Sequence, residues 1–465
     1  MSAAIAPLTP AELLHALGEH PTTRRSGLTA LHYQVELLTP MFGGGVQPRQ
    51  VDWAMPIRTR SIRGQLRHWW RLSMRDSVSN PAHPLHTTMS AATPEAWRTL
   101  EFSRWGGMGK PPQPPQASRI GVDVLNPREF RKCSFNELSK PLQYGYFPAN
   151  PRDNVDVNDA IVAPGAKFNV RLHVPESFKN ELHAAVIWWA TLGGVGGRTH
   201  RGAGAVAVRY LRGGAEASHL LSLFTEEDLR QNAGAVHRRL FRSGCVTTWL
   251  AGASAGGGFP SAATAHAHGL SQLKQFRQGE DVAREPKSPH LSRWPEAHSL
   301  RCISHVSVPA HAAPASFAGN ESAPRAAFGL PIVMFFKDGP MNTMASDEHG
   351  RDPARRTLVP VDPGRSRMAS PLILRPIAIQ TVGGIQYASA AVLLNRGLLE
   401  GGVQGAGLPT HVKAQPSQAA NAPGLLPVAL PRSLPSSLDA YRRGKAFPMA
   451  TNAVEMFINF FTARR

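Results

Sequence analysis

The run from Pro56 to Leu72 (P-I-R-T-R-S-I-R-G-Q-L-R-H-W-W-R-L) is the strictest constraint on how this chain can fold. Read as a helix from Ser61, it separates into two faces. Ile62, Leu66, Trp69, Trp70 and Ser73 fall on one arc at about 100° per residue. Arg63, Arg67, Arg71 and Arg75 follow one another at i, i+4 on the adjoining arc. Counting Arg58 and Arg60, six arginines come before the next carboxylate, Asp76. Like charges at i, i+4 repel by roughly 0.2–0.5 kcal/mol per pair, so an anion is expected opposite them. The simpler alternative is a core helix with a solvated arginine face. Ser61 suits an N-cap. Gly64 is a poor helix former in the first turn, which points to a close approach to the backbone there.

The rest of the composition favours a polyanionic partner. Lys+Arg 51 against Asp+Glu 32 gives a formal charge of +19 over 465 residues, a balance typical of nucleic-acid binding. No apolar run reaches the length of a bilayer span, and the first twenty residues lack the pattern of a secretory leader. Cys133, Cys245 and Cys302 are far apart and form no C-x-x-C, which argues against a disulfide framework or a cysteine-rich zinc site. A reducing cytoplasm is the expected compartment. Gly 42 and Pro 40 announce long loops.

Residues 11–18 suit a short helix. Leu28 to Leu38 alternates as a strand, stops at Thr39-Pro40, and is followed by the turn Met41 to Gly45 (M-F-G-G-G), where Gly43 and Gly44 permit close approach. After the arginine helix, residues 76–118 read as a proline-rich insertion. Ser118 to Val124 alternates as a strand, residues 126–160 are irregular, and Lys167 to Val174 is again a strand. Glu176 to Leu192 suits a helix, and Ala205 to Leu211 a strand. The order β-α-β-β-α-β is that of a ferredoxin-like unit. Beyond it, residues 217–242 suit a helix and 250–325 a long loop. Gly329 to Phe336 and Ser370 to Pro376 mark strands, 400–437 has little periodicity, and Ala450 to Ala463 is an apolar helix. A second, degraded unit of the same type would fit.

The loop Gly193 to Gly204 (G-G-V-G-G-R-T-H-R-G-A-G) offers backbone amides and the cations Arg198, His200 and Arg201, as a phosphate site would. It also suits a helix C-cap and tight turn. No G-K-[ST] follows, so it is not a Walker A loop. Gly202 to Ala207 leads into a strand rather than out of one into a helix, so the dinucleotide context is missing. His266-Ala267-His268 lacks a third ligand at sensible spacing and reads as solvated loop. His200 is a candidate general base without an evident partner acid. Asp52 suits a cap better than a catalytic acid.

Taken together, Leu37 to Gly44 (L-L-T-P-M-F-G-G), Pro56 to Arg71, Gly196 to Gly204, Phe328 to Ile332 (F-G-L-P-I) and Ser370 to Leu374 (S-P-L-I-L) resemble the RAMP superfamily of CRISPR-associated proteins. Within it they look like the family of first-numbered RAMP subunits of the type III-B Cmr effector complex. The resemblance implies an α+β fold of tandem ferredoxin-like (RRM-like) domains with long loop insertions. The expected units are 1–212, with an insertion near 76–117, and a more divergent 213–465, loop-rich near 250–325. It also implies a non-catalytic subunit of a type III ribonucleoprotein that holds guide CRISPR RNA near its 3′ end for target RNA recognition. Other RAMP and small subunits would be its partners, with no membrane, metal or cofactor. A guide-processing endoribonuclease using His200 is the rival reading. Arg58, Arg60, Arg63, Arg67, Arg71, Gly43, Gly44, Arg198, His200, Arg201 and Gly202 are the expected RNA contacts.

Overall fold

The computed structural model describes residues 27–47, 49–89, 93–109, 114–151, 160–211, 218–230, 237–240, 245–253, 257–279, 282–285, 288–304, 321–336, 352–353, 355–362, 364–394, 411–416, 425–428, 430 and 452–462. The expected helix at 11–18 lies outside them.

The first unit begins with β1 (Leu28–Leu37), whose Leu31, Tyr33, Val35 and Leu37 are buried while the residues between them are not. The arginine-rich run forms α1 (Thr59–Val78) and buries Ile62, Leu66, Trp69 and Trp70. It starts two residues before the expected Ser61. Arg58 takes the cap position, and no side chain caps the helix. The stretch read as an insertion contains α2 (Pro94–Trp105), set by Pro94 in its first turn and by the Thr93 hydroxyl, which accepts from the Ala96 amide at 3.3 Å. Then come β2 (Gly121–Arg128), the short α3 (Lys140–Gly145), β3 (Lys167–Pro175), α4 (Lys179–Leu192) and β4 (Val206–Leu211).

The sheet is antiparallel and ordered β2-β3-β1-β4, the ferredoxin-like arrangement. Its registers run from Leu28↔Pro175 to Glu36↔Lys167 and from His32↔Leu211 to Leu37↔Val206. A further strand, β5 (Ser218–Leu220), adds to the β4 edge, so this unit runs past residue 212. Trp69 and Trp70 are 3% and 1% exposed, so both belong to the core. The opposite face of the sheet presents His32, Gln34, Asp123, Asn169, Arg171 and Arg209.

The second unit starts where a helix was expected. The segment 217–242 instead gives β5, a helical turn at Glu226–Arg230 and β6 (His237–Leu240), which pairs with β7 (Val246–Ala251). The expected loop at 250–325 contains α5 (Ala262–Gln278) and α6 (Glu296–Ile303). The Ser261–Thr264 capping box starts α5. Few large apolar residues mark that helix, because its buried side includes Ala262, Ala265, His266 and Gly269. After β8 (Ile332–Met334) and β9 (Arg356–Pro360) come the hairpin β10 (Leu372–Thr381) and β11 (Gly384–Leu394), then β12 (His411–Pro416), β13 (Leu425–Pro427) and α7 (Ala453–Thr462).

Strands β10-β11-β7-β6 form one antiparallel sheet, and β8-β9-β12-β13 another. The first of these is ferredoxin-like again, except that β6, from before the unit's first strand, fills the edge place of a final strand. Both its faces are covered. Ile373, Ile377 and Val392 share a core with Trp69, Trp70, Trp188 and Trp189 of α1 and α4. Leu372, Leu374 and Ala391 pack with Leu273 and Phe276 of α5 and Phe457 of α7. The chain is thus an α+β protein of two ferredoxin-like units in tandem, with α1 and α4 of the first unit between the two main sheets. Among the described residues, no helix is long and apolar enough to cross a membrane.

Candidate nucleic-acid interface

Three segments far apart in sequence meet around Gly44. A Cβ added there would lie 3.8 Å from Met41 Cε, 3.9 Å from Gly196 Cα and 3.9 Å from the Pro56 carbonyl. Gly43, Gly44 and Gly196 have φ of 59°, 107° and 75°, the left-handed region that only glycine enters freely. A Cβ on Gly196 would overlap Met41 Cγ and the Phe42 carbonyl. The two glycine segments are joined by the Gly197 amide, which donates to the Phe42 carbonyl at 2.7 Å.

Between these segments and the start of α1 lies a groove of about 450 Å³, walled by Gly44, Gly45, Arg58, Arg60, Ser61, Gly64 and Gly196 among others. A Cβ on Gly64 would meet nothing within 4 Å, because that helix position faces the groove. The Ser61 and Ile62 amides reach the Arg58 carbonyl, at 3.0 and 3.1 Å, but the Thr59 and Arg60 amides have no partner among the described residues. An uncapped N-terminus of a long helix is electropositive and binds anions. Arg60 is exposed. Arg58 reaches Asp52 at 3.2 Å, and Asp52 also accepts from the Ala54 and Met55 amides at 3.2 Å, which makes it a turn cap. The groove therefore combines glycine backbone, free amides and two arginines, the chemistry that holds phosphate groups.

Residues 34–207 match the RAMP superfamily. No curated protein matches the chain. The structure is similar to that of Cmr1 from Pyrococcus furiosus in its apo form, at 12% identity over 89% of this chain and 97% of that one, with a TM-score of 0.40. It is also similar to a chain of the type III-B Cmr-beta complex bound to cognate target RNA, at 10% identity over 78% and 94%, with a TM-score of 0.39. Cmr6 from Pyrococcus furiosus aligns at 13% identity over 39% and 98%, with a TM-score of 0.20.

Within the RAMP-matched region, the other expected contacts have partners inside the protein. Arg67 and Arg71 both bind Glu101 of α2, the latter at 2.6 and 2.7 Å. Arg63 donates to the Trp105 and Ile120 carbonyls, at 2.5 and 3.3 Å. Arg75 lies over the Trp97 ring at 5.0 Å. The anion required opposite the arginine stripe is thus Glu101. Burial pushes its carboxyl up, but the hydrogen bonds and charges of Arg71 and Arg67 outweigh that and hold it below the usual range. Gly43 turns the chain, and its amide is taken by the Ala160 carbonyl at 2.7 Å.

The distal half of the glycine loop lies between α3 of the first unit and the second unit. Arg198 donates to the Gly145 carbonyl at 2.5 Å. His200 Nδ1 donates to the Ser370 carbonyl at 2.7 Å, and Arg201 reaches the Leu372 carbonyl at 3.3 Å. The Gly202 carbonyl accepts from Thr39 at 2.6 Å, and His266 Nε2 donates to the Arg201 carbonyl at 2.6 Å. His266 therefore sits buried on α5 rather than in a solvated loop, and burial pulls its imidazole down to about 4. Arg375 was absent from the sequence expectations. It stands buried in β10 and caps the end of α4 by donating to the Gly193 and Ala190 carbonyls. Desolvation lowers its guanidinium to about 9, which leaves it charged at neutral pH beside a helix C-terminus that favours a cation. Its only sequence signal is a lone arginine in an otherwise apolar strand.

Proposed function

We propose that this chain is a non-catalytic, RNA-binding structural subunit of a type III CRISPR effector ribonucleoprotein. In this reading it holds guide RNA, near its 3′ end, for target RNA recognition in antiviral defence, alongside other RAMP and small subunits. The observation that carries the proposal is the groove. The uncapped start of α1, Arg58, Arg60 and two glycine segments converge there, and all lie in the region that matches the RAMP superfamily. The net charge of +19 agrees with a polyanionic partner. Contacts of this kind grip the backbone rather than base edges.

The test is RNA binding by the purified chain. Replacing Arg58 and Arg60 together by Ala should weaken unrelated single-stranded RNAs equally. The slope of log K against log salt should flatten by about 0.7 for each phosphate no longer neutralised. The melting temperature should fall little, because Arg60 is exposed and the side chain of Arg58 is tied to Asp52, itself 36% exposed. Unchanged affinity would remove the groove as the RNA site. A nuclease centred on His200 has less support, since that ring is engaged at the joint between the two units. His200→Ala should leave target cleavage by a reconstituted complex intact. Abolished cleavage with normal assembly would reverse the assignment.

A further inference from the structure

Outside the groove, one cluster of metal-ligating side chains has no part in the proposed function. His298 and Cys302 stand at i, i+4 on one face of α6, with Cys302 Sγ 3.4 Å from His298 Nε2. The chain returns to this helix at Glu321, and the donor atoms of all three residues lie within 4.8 Å of one another. We propose that His298, Cys302 and Glu321 bind a zinc ion that clamps α6 to the returning chain.

The donor set supports zinc. Imidazole nitrogen, thiolate sulfur and carboxylate oxygen are its three protein ligand types, and a thiolate excludes the hard cations magnesium and calcium. Three protein ligands leave the fourth tetrahedral position to water. The thiol proton is released to solvent when the metal binds.

The neighbouring contacts hold the ligands in place. Ser299, between the two helical ligands, is fully buried, and its hydroxyl donates to the Ser322 carbonyl and accepts from the Ser322 amide, both at 2.9 Å. The residue after Glu321 is thus fastened to the residue after His298. One turn earlier, the buried Glu296 accepts from the Arg325 amide at 2.7 Å and pairs with its guanidinium at 3.0 Å. These bonds carry Glu321 to the His298–Cys302 face without any metal. Of the three cysteines, Cys133 and Cys245 are buried elsewhere, and only Cys302 is partly open to solvent. The sequence signal is H-x-x-x-C with a glutamate nineteen residues on, which a search for C-x-x-C or paired histidines passes over.

The experiment is zinc binding by the full chain after treatment with a chelator. The wild type should take up one zinc per chain and melt at a higher temperature with zinc than without. With cobalt in place of zinc it should show a thiolate-to-metal charge-transfer band. Cys302→Ser should abolish that band. Cys302→Ser and Glu321→Gln should each weaken zinc by more than the roughly 10–100-fold that an outer partner costs. Both should melt like the metal-free wild type. A wild type that takes up no zinc would overturn the proposal. So would a cobalt spectrum without the sulfur band, which needs no variant to fold. Variants that keep the full stoichiometry and thermal gain would overturn it as well.

Discussion

Gly202 illustrates how much one residue decides here. Its φ is 76°, and a Cβ would lie 2.6 Å from both His266 Nε2 and the Leu374 carbonyl. The residue matters because the second unit approaches it and because its backbone is left-handed. Its amide donates to the Thr199 carbonyl at 3.0 Å. Gly202→Ala should therefore cost at least about 1–3 kcal/mol from backbone conformation alone. The overlap with the two neighbours adds to that. Urea unfolding measures the loss. An unchanged midpoint would mean that the two units do not press together at this point. Arg60 is the contrasting case. It is exposed and its side chain makes no bond to the other described residues, so its substitution should be silent for stability and visible only in binding.

At the scale of the element, α1 and α2 form one device. Glu101 receives two arginines, Trp105 one, and Trp97 the fourth. Because the carboxyl of Glu101 is held below its ordinary value, its contribution is fully present above about pH 4.5 and is lost as the pH falls through the lower folded value. Urea midpoints taken below pH 4.5 should drop less steeply in Glu101→Gln than in the wild type. The variant itself should be less stable at pH 7. Parallel profiles would show that the pin adds nothing. This device also marks the limit of what the sequence discloses. Periodicity is enough to find α1, β1, β3 and α4, because their buried positions alternate or recur at helical spacing over nine or more residues. The repulsion along the stripe correctly demanded an anion. What supplied it sat in a segment whose prolines masked a capped helix. The start of α5 is hidden in another way, because its first buried positions are Ala262, Ala265, His266 and Gly269, and large apolar residues come only from Leu270 onward. The groove was legible in Arg58, Arg60, Gly44 and the first half of the glycine loop. The second half carries the same residue types, and nothing short of tertiary packing separates the cations that face a groove from those that face a neighbouring unit.

At the scale of the whole molecule, the two units share a joint with a titratable group inside it. His266 is neutral when folded, since its Nε2 proton goes to the Arg201 carbonyl and burial holds it at about 4 against an ordinary value of 6.5. The unfolded chain takes up a proton below pH 6.5 and the folded one does not until about 4. The contribution is thus complete above pH 6.5 and fades as the pH falls between those values, by up to about 3 kcal/mol. This window lies above that of Glu101, so the two effects are separable. His266→Gln keeps an N–H donor and cannot titrate, and it should flatten the decline in urea midpoint between pH 6.5 and 4.5. A decline as steep as in the wild type would place the sensitivity elsewhere. The same stacking of units has one more outcome. RNA binders of the RRM type read bases by laying them on aromatic rings along an open sheet face. The open face of the first sheet carries Gln34, Asp123, Asn169, Arg171 and Arg209, and the rings its own strands lend it are the imidazoles of His32 and His173, the latter bound to Asp123 at 3.0 Å. The sheet of β10, β11, β7 and β6 has neither face open. An RNA strand held in the groove would meet amides and cations, and the open face of the first sheet offers its bases two imidazoles but no Phe, Tyr or Trp from its own strands. In the proposed role, such a holder would be close to illiterate, gripping guides whose letters differ from one copy of the complex to the next.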